Sequence, residues 1–221
     1  LKDSDMGIAM GSGSSASRAV AQLVLLDNQF KILPRVLQEG RRVINNIERV
    51  SNLFITKAAH AIILTALVGL LGVPFPFRPK QLTLIGTFSI GLPGFFLALA
   101  PDNSLVKPGF LGRVLRYSIP AGISAAITTF VCYEIVRRSD VLIAEARTAA
   151  TATLLCLGLG ILLVISRPIK PWKLCLALFM GLSYMSVLLS EFGRDYFELV
   201  HMSGSSWLTT GICVAVGLVS I

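Results

Sequence analysis

The hydrophobic and polar positions divide the chain into a short first part and a much longer second part. In the first part, residues 6–11 and 23–26 are apolar runs of the length of a buried strand. Residues 16–22, between them, fit a short helix. Strand, helix and strand in this order are typical of one edge of a parallel α/β sheet. So short a segment cannot bury a core alone, and we expect residues 1–30 to end a larger cytoplasmic domain.

A helical periodicity follows in residues 31–52. Apolar residues recur there at intervals of three or four, with charged and amide side chains between them. This pattern predicts an amphipathic cytoplasmic stalk helix. No proline separates the helix from the apolar run that continues to Gly72. We therefore expect one unbroken helix, polar in its first half and apolar in its second half, that ends at Gly72-Val73-Pro74.

Long apolar runs dominate the remainder of the chain. A bilayer core about 30 Å thick requires about 20 apolar helical residues, and several runs here approach that length. The chain is therefore expected to be a mainly α-helical, polytopic membrane protein, with a transmembrane domain of six helices over residues 53–221. The six helices are expected at about residues 53–72, 82–99, 117–136, 149–165, 174–189 and 206–221.

The second of these helices contains helix-breaking residues near its middle, in Gly91-Leu92-Pro93-Gly94. Pro93 has no N–H group and its ring crowds the preceding turn, so carbonyl groups upstream lose their helical donors. Such a break is tolerated in a membrane only inside a helix bundle or beside a wet cavity. Transporters use broken helices as ion sites, and a simple proline kink is the alternative interpretation.

Composition agrees with a membrane protein, since 54% of the residues are hydrophobic and only 14% are charged. The net charge of +8 is explained by Lys and Arg in connecting segments and in residues 1–49, and no basic patch interleaved with aromatic residues predicts nucleic-acid binding. Basic residues divide evenly between the two sets of loops. The seven Lys and Arg of residues 1–49 therefore decide for a cytoplasmic N-terminal end.

Ionisable residues inside the predicted spans are scarce. Lys57 and His60 lie one turn apart on one face of the first span, and Glu134 lies near the end of the third. An ionisable residue in a membrane is a functional candidate, although Lys57 could also extend harmlessly to the interface. The cysteines form no CxxC pair and are interpreted as packing residues; they are Cys132, Cys156, Cys175 and Cys213.

Three segments resemble those of P-type ATPases, in the expected order along the chain. Residues 1–13, LKDSDMGIAMGSG, resemble the segment that follows the hinge motif, and the similarity continues through residues 19–28 to the end of the phosphorylation domain. Residues 39–47, EGRRVINNI, resemble the stalk helix that enters the fifth membrane helix. Gly91-Leu92-Pro93 resembles the break in the sixth. Residues 1–30 would then be the last part of a haloacid-dehalogenase-like domain.

This resemblance implies an ATP-driven cation pump. Such pumps phosphorylate an aspartate from ATP with Mg²⁺ and convert the domain movements into alternating access of an ion site. The phosphorylated aspartate, the nucleotide pocket and the magnesium-binding aspartates would lie upstream, so no catalytic or cofactor-binding residue is expected here. A chain that opens at Leu1 is expected to be a fragment that is inactive alone. Its partners would be the missing N-terminal catalytic half, membrane lipid and the cation, in the plasma membrane.

Six helices after the phosphorylation domain fit the ten-helix pumps for calcium, magnesium, protons or other small cations. The positions at which calcium pumps place ion ligands correspond here to Ala58, Ala61, Gly86 and Ile90, none of which is a carboxylate. Lys57 could replace a counter-ion, as a lysine does in gastric-type proton pumps.

The pattern most resembles the bacterial cation-transporting ATPase E group, often assigned calcium. Two alternatives stay open: an accessory membrane protein or channel without ATPase activity, and an inactive gene fragment. No metal ligand is assigned. The candidate ion pathway consists of Thr56, Lys57, His60, Thr87, Ser89, Gly91 and Pro93.

Overall fold

A computed structural model of the chain describes residues 4–100 and 104–221. Residues 1–3, which begin the first motif, lie outside the described residues, as do residues 101–103 in a connector. The described part is mainly helical, with one pair of short strands near its start. The strands are β1 Ile8–Met10 and β2 Leu23–Leu25, and the helices are α1 Ser15–Val20, α2 Leu33–Leu71, α3 Pro79–Gly86, α4 Leu92–Leu99, α5 Phe110–Arg137, α6 Ile143–Ile165, α7 Pro171–Leu189, α8 Glu191–Phe197 and α9 Gly204–Ser220.

The predicted strand, helix and strand at the start of the chain are present. β1 and β2 pair in parallel, with Ile8 opposite Leu23, and α1 connects them. Ser14 caps α1, because its side chain accepts a hydrogen bond from the backbone N–H of Ser17 at 3.1 Å. Gly11 allows the backbone that follows β1 to lie close to the backbone of Leu26. A Cβ atom at residue 11 would lie 2.7 Å from the carbonyl oxygen of Leu26.

The predicted continuous helix from the stalk into the apolar run is confirmed by α2, which is 39 residues long. Pro34 lies in its first turn, where a missing N–H group breaks no helical hydrogen bond. The helix ends at Gly72, which has a left-handed φ of 63° and donates its backbone N–H to the carbonyl of Val68.

Within the part of the chain that the structure describes, five segments are long and apolar enough to cross a membrane. They are Phe30–Leu71, Pro79–Leu99, Phe110–Arg137, Ile143–Ile165 and Pro171–Leu189. The apolar helix α9, at the position of the sixth predicted span, has 17 residues, fewer than the usual 20. The helices that contain the third and fourth predicted spans begin earlier than the predicted starts at 117 and 149, at Phe110 and Ile143.

α5 lies at the centre of the bundle and packs against α2, α6 and α9. Its side chains at Ala126, Cys132 and Tyr133 are fully buried. Gly122 brings α5 and α2 into backbone contact, since a Cβ atom there would lie 2.6 Å from the Cβ atom of Ala59. Small residues allow such close approach where lipid provides no hydrophobic driving force between helices.

Candidate functional site

A cavity of about 260 Å³ lies where α2, α3, α5, α6 and the loop before α3 meet. α2 contributes Thr56, Lys57 and His60 to its lining, and the turn after α3 contributes Ser89. Most of the remaining lining is apolar, including Leu53, Leu64, Phe77, Ile85, Leu154 and Ile161. The cavity therefore presents a few polar atoms within an otherwise apolar chamber.

The two buried hydroxyl groups of the cavity each donate a hydrogen bond to a backbone carbonyl. Thr56 Oγ1 donates to the carbonyl of Asn52 at 2.7 Å, and Ser89 Oγ donates to the carbonyl of Ile85 at 2.7 Å. Each hydroxyl oxygen keeps lone pairs after this donation. Both side chains can therefore offer oxygen to a cation without losing their own hydrogen bond.

His60 is the most buried ionisable lining residue, only 6% exposed. Within residues 4–100 and 104–221, its Nε2 atom finds no hydrogen-bond partner. Its ring is tilted against that of Phe77, with 6.4 Å between the centroids. A buried polar nitrogen without a partner is destabilising, so this atom is available to a ligand or water in the cavity.

The predicted break in the second span is a single π-helical turn, Thr87–Gly91, between α3 and α4. The backbone N–H of Leu92 donates to the carbonyl of Thr87, five residues earlier. The next residue, Pro93, has no N–H group and cannot donate to the preceding turn. Turns of this kind occur often at functional sites, and here the turn places Ser89 in the cavity.

A second, more open groove of about 400 Å³ lies between α2 and the same turn. Thr87 and Gly91 line this groove, together with Gly86. Lys57, Leu82 and Ile90 line both the groove and the cavity, so the two spaces are neighbours.

The structure brings most of the predicted pathway residues together. Four of them line the cavity, Thr87 and Gly91 line the groove, and Pro93 is buried in the first turn of α4. Of the positions aligned with calcium-pump ligands, Ala61 and Ile90 line the cavity. Gly86 lies in the groove and Ala58 is in neither lining.

Two glycines that the sequence analysis did not single out allow α5 and α6 to pack closely against the residues that line the cavity. A Cβ atom at Gly158 of α6 would lie 2.8 Å from the Cβ atom of Ser89. One at Gly122 of α5 would lie 2.8 Å from the carbonyl oxygen of Thr56. A glycine within an apolar helix is a sequence signal of close helix packing. The sequence alone does not show which glycines of a helix contact a neighbouring helix.

The acidic candidate of the sequence analysis lies outside the cavity. Glu134, a candidate from the sequence, forms ion pairs with Arg137 at 2.8 Å and Arg138 at 3.3 Å at the end of α5. The cavity lining contains no carboxylate. Across residues 4–100 and 104–221, no group of three or more His, Cys, Asp or Glu side chains is arranged to hold a metal ion.

Comparison with known proteins shows relatives over nearly the whole chain, although no protein-family model matches. The chain is 45% identical to the calcium-transporting ATPase CtpE of Mycobacterium bovis and 43% identical to that of Mycolicibacterium smegmatis. Both alignments cover 99% of this chain. A probable cation-transporting ATPase of Streptococcus pneumoniae, exp7, is 34% identical over 56% of the chain. The chain spans 29% of the length of the two mycobacterial relatives.

Proposed function

We propose that this chain, which resembles the C-terminal part of a cation-transporting P-type ATPase, forms the stalk and much of the cation pathway of an ATP-driven pump. The observation that carries the proposal is the 45% identity to a calcium-transporting ATPase over 99% of the chain. The five apolar helices agree with a multi-pass membrane protein of this kind.

The geometry supports placing the cation pathway between α2 and the π-helical turn. The cavity there joins the residues that sequence analysis selected, and its buried hydroxyl groups can coordinate a cation. Thr56, Lys57, His60 and Ser89 would line the inner part of this pathway. Thr87, Gly91 and the turn before Pro93 would line its outer part.

We propose Ca²⁺ as the first cation to test, because the mycobacterial relatives are named for calcium transport. Ca²⁺ takes six to eight oxygen ligands, usually with carboxylates among them. The cavity offers hydroxyl oxygens but no carboxylate, and it includes the ammonium group of Lys57. Other small cations therefore belong in the same experiment.

The topology of the pump is part of the proposal. α9 would be the sixth span, shortened to 17 residues. The strands β1 and β2 would be the edge of a haloacid-dehalogenase-like phosphorylation domain on the cytoplasmic side. The whole protein would lie in the plasma membrane.

ATP and Mg²⁺ would act in the remainder of the longer protein. Among the described residues, no group of three or more His, Cys, Asp or Glu side chains is arranged to hold a metal ion. The long helix α2 would carry the movement that follows phosphorylation into the bilayer. By itself the chain would then hydrolyse no ATP.

The test is ATP-driven cation uptake by the full-length protein that contains this chain, reconstituted into sealed vesicles. We expect uptake of Ca²⁺ or another small cation with ATP and none with a non-hydrolysable ATP analogue. A parallel screen of ATP hydrolysis against Ca²⁺, Mg²⁺, Mn²⁺ and protons would identify the cation. Cation flux that is equally fast without ATP would instead favour a channel. Absence of both activities in a folded protein would favour an inactive gene product.

A further inference from the structure

The short helix α8 follows the membrane helix α7 almost without a break. Ser190 separates the two helices, and its side chain caps α8 by accepting a hydrogen bond from the backbone N–H of Gly193 at 3.3 Å. α7 has 19 residues and is long and apolar enough to cross a membrane. Because α8 begins directly after such a span ends, its place in the chain puts it near a membrane–water boundary.

Close contacts fix α8 against the end of α7. A Cβ atom at Gly193 would lie 2.5 Å from the carbonyl oxygen of Val187, so the absence of a side chain allows α8 to fold back on the last turns of α7. Nη1 of Arg194 donates to two final carbonyls of α7, those of Leu188 at 3.1 Å and Leu189 at 2.8 Å. α8 is therefore a fixed part of the bundle surface.

The side of α8 that faces the bundle is distinct from its outer sides. Gly193 is buried, and Phe197 is partly buried against the core cluster that includes Leu84, Tyr184 and Leu188. These contacts set the rotation of α8 about its own axis. They therefore determine which of its other side chains point away from the bundle.

Two aromatic side chains form one outer side of α8. Phe192 and Tyr196 lie four positions apart on one helix face and are 80% and 55% exposed. Their rings stack, with 6.3 Å between the centroids and 18° between the ring planes. Glu191 and Asp195 are exposed on the adjoining face. An aromatic side next to a charged side is typical of a helix that lies in the plane of a membrane interface.

The aromatic pair continues an exposed apolar stripe of α7. The stripe recurs at intervals of three or four residues and consists of Leu178, Leu182, Met185 and Leu189. Phe192 comes three residues after the last of these. A stripe of this kind on a membrane-spanning helix faces lipid, and its continuation into α8 favours the same partner for Phe192.

A basic side chain lies beside the aromatic pair. Nζ of Lys80, at the start of α3, is 5.4 Å from the centroid of the Tyr196 ring and 3.5 Å from a carboxylate oxygen of Glu198. The Lys80 side chain is 50% exposed. Tyrosine is enriched at the headgroup level of membranes, and lysine extends its ammonium group to the same level.

We propose that α8 is an interfacial helix whose Phe192 and Tyr196 side chains insert among the glycerol and upper acyl-chain groups of the bilayer lipid. The partner of this face is lipid, and the carboxylates of Glu191 and Asp195 are directed to water. The inference goes beyond the proposed pump function. It requires only that the chain crosses a membrane.

The test is photo-crosslinking in the full-length protein that contains this chain, reconstituted into phosphatidylcholine vesicles. Phe192→p-benzoylphenylalanine keeps an aromatic ring at residue 192 and, on illumination, bonds covalently to a neighbouring C–H group. The same substitution at Phe179, which is exposed near the middle of α7, is the control for contact with lipid. At Phe30, which is exposed before the polar half of α2, it is the control for an aromatic residue outside the bilayer.

Mass spectrometry of the products identifies the partner, and fragmentation of a lipid product locates the carbon that was attacked. We expect lipid products of the Phe192 variant at the glycerol and the first acyl carbons. Products of the Phe179 variant should lie further along the acyl chain, and the Phe30 variant should give no lipid product. Crosslinking of the Phe192 variant to a peptide of the longer protein would overturn the proposal, and so would loss of its lipid product while the Phe179 variant keeps one.

A second position covers failure of the Phe192 variant to fold. Tyr196→p-benzoylphenylalanine should give the same products close to the headgroup, and a folded variant without them would contradict the proposal independently. The outcome is separate from that of the transport experiment. Absence of ATP-driven cation uptake would overturn the proposed function and leave the expected lipid products unchanged.

Discussion

The ammonium nitrogen of Lys57 lies beside Gly86, so close that a Cβ atom on residue 86 would be 3.3 Å from Nζ. Lys57 is 14 residues before Leu71, where α2 ends, and therefore about 21 Å from that end. Lys57 is also only four residues, or about 6 Å, from the predicted start of the span at residue 53, and its side chain is exposed. Its position beside Gly86 allows a role in the cation pathway, and substitution of Lys57 distinguishes that role from simple extension of the lysine to the interface.

Substitution Lys57→Ala should change the cation dependence of ATP hydrolysis. Removal of a fixed positive charge beside the pathway reduces repulsion of the cation, so we expect half-maximal activation at about three- to tenfold lower cation concentration. The measurement is ATPase activity of the full-length protein against cation concentration and pH. Lys107→Ala, at an exposed position outside the helices, is the control. Identical curves for Lys57→Ala and wild type would leave Lys57 without a role in transport.

Substitution Gly158→Ala should destabilise the protein. The added methyl group would lie 2.8 Å from the Cβ atom of Ser89, and overpacking of this kind costs about 1–3 kcal/mol. The control is Gly69→Ala in α2, where nothing lies within 4 Å of the new methyl group. Thermal unfolding in detergent should show a lower midpoint for Gly158→Ala alone. Equal midpoints for both variants would contradict the close packing of α6 on the π-helical turn.

Substitution Gly122→Ala should have a larger effect than Gly158→Ala. Its methyl group would meet the Cβ atom of Ala59 at 2.6 Å and a backbone carbonyl oxygen of α2 at 2.8 Å, and neither atom can move without separating α2 from α5. Gly112→Ala in the same helix meets nothing within 4 Å and is the matched control. The order of unfolding midpoints tests the prediction, and a midpoint for Gly122→Ala at or above that of Gly112→Ala would refute it.

Substitution Pro93→Ala should impair transport more than expression. The new N–H group can donate to the preceding turn, which favours a regular α-helix over the π-helical turn and withdraws a carbonyl from the pathway. The control is Pro120→Ala, which removes the proline inside α5, outside the cavity lining. Transport is compared at equal amounts of protein in the vesicles. Normal transport by Pro93→Ala would exclude the broken helix from the cation site.

Sequence reasoning succeeded where one local signal determined the structure. The periodicity through residues 31–72 and the absence of an internal proline determined α2, and Pro93 determined where the second span is interrupted. The three candidate residues on α2 share one side of the helix, so their common position in the cavity followed from spacing.

Sequence reasoning was less successful where a partner determined the structure. α5 begins at Phe110, seven residues before the predicted start of the third span, and its first turn contains Arg113, which forms an ion pair with Glu48 of α2. The short helix α8 lies in a segment expected to be a connector. The close approaches at Gly122 and Gly158 depend on which helices become neighbours, and a single sequence does not contain that information.

The uninterrupted length of α2 has a geometric consequence. Its 39 residues extend about 58 Å, roughly twice the thickness of the bilayer core. If the membrane-embedded half acts as a fulcrum, a tilt of only about 10° swings the free end, about 30 Å away, through about 5 Å. The helix would thus work as a lever arm, and ångström-scale adjustments around the cavity would correspond to a much larger displacement at the end of α2 that follows β1 and β2.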